Sequence, residues 1–139
     1  MRARARRARD TRWLYQAERT LLKGNDHANA DRPIGYLRSL AKRVWKAEAP
    51  EGRRMPSIKA TRGMKYGDSL TSFCAGFTEI ELARHHRTVL VLLHELTHAL
   101  GPYQHGAKFV RLYFHLLKKY AGYNRWFLEM VASERGIAL

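Results

Sequence analysis

The chain reads as α+β: two helices, a small and mostly antiparallel sheet packed against helices, then three more helices. Three observations carry this reading. Apolar residues recur at helical spacing over 9–23 and 33–48. Between residues 57 and 82, short runs punctuated by glycine alternate apolar with charged residues, as strands do. From residue 87 on, helical spacing returns in three stretches separated by Gly101-Pro102 and Gly122.

The elements follow in order. Over 9–23, Trp13, Leu14, Ala17, Leu21 and Leu22 share a face, and Gly24 stops the helix. GNDHANADRP is a loop by composition. Pro33 opens the second helix, whose stripe is Ile34, Leu37, Leu40, Ala41, Val44 and Trp45; Pro50 and Gly52 close it. Strands are expected at 57–62, near 69–73, and most clearly at 76–82, where Phe77, Ile80 and Leu82 alternate with Glu79 and Glu81. A buried helix is expected over 87–100, containing VLVLLHELTHAL. Further helices follow over 107–120 and 125–135, the last capped by Asn124 and ended by Gly136.

Composition bounds the rest. A chain of 139 residues suits one domain, 1–139, with residues 1–8 as a flexible basic arm. Hydrophobic residues at 45% exclude a disordered chain. No run approaches the roughly 20 apolar residues of a membrane span, and no apolar segment follows the basic start as in a signal peptide. A cytoplasmic protein is therefore expected. The single Cys74 agrees with a reducing compartment and reads as a small core residue.

The net charge is +14 and unevenly spread. Residues 1–62 hold seventeen Lys/Arg against six Asp/Glu; residues 63–139 hold nine against six. The basic N-terminal half fits a polyanionic partner, most simply nucleic acid; a solvated basic face is the plain alternative.

The chemistry sits in HELTH. His94 and His98, four residues apart on a helix, leave the same face one turn apart and can share one tetrahedral metal. Glu95 falls beside the metal, where a carboxylate can act as general base. Two histidines and a glutamate buried without such a role would be costly. A catalytic zinc site needs a third protein ligand. The Gly101-Pro102 reversal brings His105 back toward the pair, with Gly106 allowing close approach; Glu129 and Glu134 are the rivals. Tyr103 is a candidate oxyanion donor, or a packing residue. His85 and His86 precede the helix and read as solvated loop residues or cleft lining. His115 reads as hydrogen-bonded and semi-buried, and nothing singles out His27. If 76–82 were an edge strand, it could pair with an extended peptide substrate.

HELTHAL-GPYQ-HGAKF resembles the SprT-like and WLM-like zincin peptidases, in which HExxH is followed by a turn, a third His, Gly, a variable pair and Phe. Here these are His94, Glu95, His98, His105, Gly106 and Phe109. The resemblance covers roughly residues 76–120. Arg9, Asp10, Tyr15, Ala17 and Glu18 are similar to a narrower group of uncharacterised metallohydrolases of actinobacteria and their phages. The resemblance implies a compact minimal zincin fold with HExxH on a central helix, Zn2+ as the metal, and a protein or peptide substrate. The third His lies seven residues after the second, not six as in metzincins, and no zinc-ribbon cysteines are present. The expected function is a zinc-dependent peptidase. The alternatives are a nucleic-acid-associated protein with a structural zinc, and a zinc hydrolase of a non-peptide substrate.

Overall fold

A computed structural model describes residues 2–62, 64–66, 69–71, 73–75, 78–102 and 104–139, with 64–66, 69–71 and 73–75 by their backbone course. Six helices and five strands occur in it: α1 (Arg2–Gly24), α2 (Asp26–Asn29), α3 (Ile34–Glu48), β1 (Ser57–Thr61), β2 (Met64–Tyr66), β3 (Ser69–Thr71), β4 (Phe73–Ala75), β5 (Glu79–Ala83), α4 (Val89–Leu100), α5 (Ala107–Ala121) and α6 (Arg125–Ser133). The α+β class stands. No helix among the described residues is long and apolar enough to cross a membrane.

The sheet departs from expectation. Its longest pairing, β1 with β5, is parallel, with Ser57 opposite Glu79 through Thr61 opposite Ala83, so the expected mostly antiparallel sheet is not what forms. The strand order is β1-β5-β4, with the short β4 antiparallel to β5 and β2-β3 a separate antiparallel pair. Strands adjacent in sequence usually pair, but here β2 to β4 intervene and return β5 beside β1 in the same direction. Consequently β5 is central, its backbone is bonded on both sides, and it offers no edge to a peptide. The alternation on β5 is as expected: Ile80 and Leu82 are buried, and Glu79 and Glu81 half-buried. Phe77 and the packing of Cys74 lie outside what is described.

The N-terminal helix is longer than expected. It starts at Arg2, so residues 2–8, expected as an arm, form its first two turns. Alanine and arginine are strong helix formers, and RARARRAR contains nothing that breaks a helix. The loop after it contains α2, capped by the Asn25 side chain accepting from the Ala28 N–H at 3.1 Å.

One hydrophobic cluster joins all the larger helices and the sheet. α4 runs through its middle, touching α2, α3, α5, β4 and β5. That explains why nine of its twelve residues are buried and its sequence is apolar nearly all round. Thr88 caps it, accepting from the Val91 N–H at 3.2 Å, so the helix begins at Val89. α1 packs on this core through Leu14 and Leu21, both fully buried. Asn25 donates to the Ala121 carbonyl and Tyr123 to the Leu21 carbonyl, each at 2.8 Å, while Asp10 pairs with Arg135. α1 is thus anchored along its length, with Glu18 on its inner face against His94 in the middle of α4.

Candidate metal centre

Three histidines meet where α4, the turn after it and α1 converge. His94 and His98 stand one turn apart on α4, and His105 returns from the segment preceding α5. Gly101 makes that return: its φ of +152° suits glycine, and its N–H bonds to the His98 carbonyl at 3.2 Å. Nε2 of His105 lies 3.0 Å from Nε2 of His98 and 3.3 Å from Nε2 of His94. Ligands about 2.0–2.1 Å from one tetrahedral ion lie roughly 3.3 Å apart, so the donor set fits a metal such as zinc. His94, His98 and His105 can together hold a metal ion.

The Nδ1 atoms strengthen the case. Nδ1 of His94 donates to Glu18 Oε1 at 3.1 Å, and Nδ1 of His98 donates to the Pro102 carbonyl at 3.0 Å. A carboxylate and a carbonyl only accept, so each Nδ1 carries its hydrogen, and in the neutral ring each Nε2 presents a lone pair inward. Nδ1 of His105 is 3.1 Å from the Thr11 hydroxyl. All three rings are therefore held from behind, as metal-binding histidines are. Tyr113 donates to the second oxygen of Glu18 at 3.4 Å. Phe109, fully buried, lies under all three rings, with centroids 5.0, 4.6 and 4.9 Å from those of His94, His98 and His105.

Electrostatics divides the three imidazoles. Burial, helped by the neighbouring His94, pushes His98 down to about 4; burial with His94 and His98 pushes His105 down to about 3. Burial also opposes charge on His94, but the Glu18 carboxylate beside it outweighs this and holds it above the usual histidine value. Glu95 is buried next to the cluster, and burial raises its carboxyl above the ordinary range despite the opposing pull of His94. None of the described residues hydrogen-bonds that carboxylate. An open cleft of about 450 Å³ runs from Glu95 and His94 between Tyr15, Arg19 and Leu22 of α1 and His86 and Val91.

The other candidates fall elsewhere. Tyr103 lies outside the described residues. Glu129 is paired with Arg125 at 2.6 Å, and neither it nor Glu134 joins the cluster. His86 is exposed but lines the cleft, His85 is exposed with a φ of +67°, and His27 accepts from Arg32. His115 bonds Glu48 at 3.2 Å and is more exposed than expected. Gly106 is not needed for close approach: a Cβ there would meet only Asp10 Oδ2, at an ordinary 3.9 Å.

Sequence reasoning did not assign Glu18, Thr11 and Phe109 their places behind the imidazoles. A signal existed. Thr11, Tyr15 and Glu18, at spacings of four and three, share one face of a helix whose other polar positions are mostly arginine.

Comparison with known proteins returns nothing: no family model, no curated protein and no solved structure matches the chain.

Proposed function

We propose that the protein is a zinc-dependent hydrolase of peptide bonds. The observation that carries this reading is the convergence of three Nε2 atoms, each ring held at its Nδ1, with a buried carboxylate alongside and a cleft leading in. Among the described residues the cluster has no fourth ligand, which favours a catalytic over a structural site. Imidazole nitrogens suit zinc. Bound zinc would supply a Lewis acid and lower the pKa of water to near neutrality.

The chain's own residues do the rest. His94, His98 and His105 hold the ion. Glu18, Thr11 and the Pro102 carbonyl keep their rings in register. Glu95 takes a proton at its carboxylate as water attacks and hands it to the leaving amine. Burial raises its affinity for that proton, bringing it nearer the working range of a general base. Peptide as substrate is supported by the resemblance of residues 94–109 to SprT-like and WLM-like zincins.

The test is Glu95→Gln. The variant should bind zinc one-to-one, as the parent does, while hydrolysis of an unfolded protein substrate falls by about 10²–10⁴-fold. Undiminished hydrolysis would remove Glu95 from the mechanism.

A second reading has its own observation. Seven arginines and Lys23 are exposed on α1, while its two acids turn inward, Asp10 to Arg135 and Glu18 to His94. A helix whose exposed charges are all cationic suits nucleic acid, with the metal then structural. It predicts binding that weakens steeply with salt; salt-insensitive or absent binding sinks it.

A further inference from the structure

The cleft beside Glu95 has walls of distinct character. Tyr15, Leu22 and Val91 present carbon to it, and Glu18 stands at its inner end. Both oxygens of Glu18 are engaged, one by His94 and one by Tyr113, so it is committed to the protein. Arg19 is different. It is exposed on the cleft wall, and no described residue hydrogen-bonds or pairs with its guanidinium. Elsewhere the structure engages its arginines where a partner is near: Arg38 binds the Ile58 carbonyl, Arg87 those of Leu82 and Thr61, and Arg111 that of Ala138.

Arg19 also belongs to a row. Arg12, Arg19 and Lys23, seven and four residues apart, follow one face of α1 and are all exposed. Of this row Arg19 lines the cleft and makes that wall cationic, while Glu18 and Glu95 line it beside His94. An anionic group on the substrate is therefore drawn to the Arg19 wall. Guanidinium binds carboxylate with two parallel hydrogen bonds, a geometry that lysine cannot reproduce.

On this basis, and resting on the peptide-hydrolase reading, we infer that Arg19 is a specificity-determining residue that binds a substrate carboxylate near the cleaved bond. The carboxylate belongs to an acidic side chain or to the substrate's own C-terminus. Tyr15, Leu22 and Val91 receive the apolar part of the same segment.

The test reads binding separately from turnover. Labelled peptides bind the zinc-loaded Glu95→Gln protein and are followed by fluorescence anisotropy. The set carries Glu, Gln or Lys at the central position, each with a free or amidated C-terminus. A carboxylate should tighten binding about tenfold, the low end for a charge-assisted hydrogen bond because the site is open. If removing the side-chain carboxylate loses the gain, the source is an acidic residue; if amidation loses it, the source is the terminus. Adding Arg19→Gln should abolish the gain, Arg19→Lys restore part of it, and Arg19→Glu reverse the preference toward Lys. Arg2→Glu makes the same charge change roughly 25 Å away along α1 and should leave the preference alone.

Equal binding of all peptides by the parent, or an Arg2→Glu effect equal to that of Arg19→Glu, would overturn the assignment. The wild-type zinc-loaded protein tells the two readings apart. Cleavage without preference for carboxylate defeats only Arg19. Carboxylate-selective binding through Arg19 with no cleavage of any peptide defeats the hydrolase reading and leaves Arg19 in place as a binding residue.

Discussion

Glu18 and His94 are 76 residues apart in sequence, yet the Glu18 carboxylate accepts from the His94 ring at 3.1 Å. This contact joins the most basic helix of the chain to its most apolar one. It also orients a ligand of the candidate metal, so α1 is part of the site. Glu18→Gln should weaken zinc binding about 10- to 100-fold with the fold retained, since outer partners of metal-binding histidines contribute on that scale. A competition titration against a chromophoric chelator reads the affinity, and circular dichroism the fold. Unchanged affinity would show that His94 needs no help from α1.

The identity of the third ligand can be read from stability alone. A ligand bound to the folded chain at 1,000 times its Kd stabilises it by about 4 kcal/mol. Zinc should therefore raise the melting temperature of the parent, and chelator should reverse the rise. His105→Ala should lose most of that shift. Glu129→Ala and Glu134→Ala should keep it, because neither residue joins the histidine cluster. A full shift in His105→Ala would return the third position to one of the glutamates.

Phe109 packs against all three rings. Truncating a buried phenylalanine typically costs about 3–5 kcal/mol, so Phe109→Ala should unfold at markedly lower denaturant. Phe109→Leu keeps most of the volume and loses the tilted and edge-on ring contacts with the imidazoles. It should fold and bind zinc more weakly than the parent. Parental zinc affinity in the leucine variant would reduce Phe109 to a packing residue.

Away from the metal, Glu48 ties the end of α3 to α5. Burial opposes its ionisation, but Lys119 at 2.8 Å, Tyr120 at 3.0 Å and His115 at 3.2 Å together hold its pKa below the usual 4.5. A depressed carboxyl stabilises the fold above its unfolded pKa, and the gain fades as pH falls through the lower folded value. Glu48→Gln should accordingly cost about 1 kcal/mol at pH 7, modest because Lys119 and His115 are half-exposed. The difference from the parent should close progressively below pH 4.5. Urea melts at pH 7, 5 and 3 check this; a gap that widens in acid would have the wrong sign.

Much of this protein is decided by the sequence alone. The 3.6-residue spacing of Leu14, Ala17 and Leu21, and of Leu37, Leu40, Ala41 and Val44, makes helices wherever those faces find a core. HELTH likewise presents His94 and His98 from one helical face whatever surrounds them, because that relation is local. Relations across long separations were left to the tertiary structure. The parallel β1-β5 pairing depends on where β2 to β4 return the chain, and strand alternation is blind to the direction of a partner. The third ligand posed the same problem. The sequence offered His105, Glu129 and Glu134, and only the turn at Gly101 and the docking of α1 bring His105 alone to the pair. Glu18 shows the limit most plainly. In the sequence it is one acid on a basic helix; in the fold it is held against His94 because burying Leu14 and Leu21 turns that face of α1 toward α4.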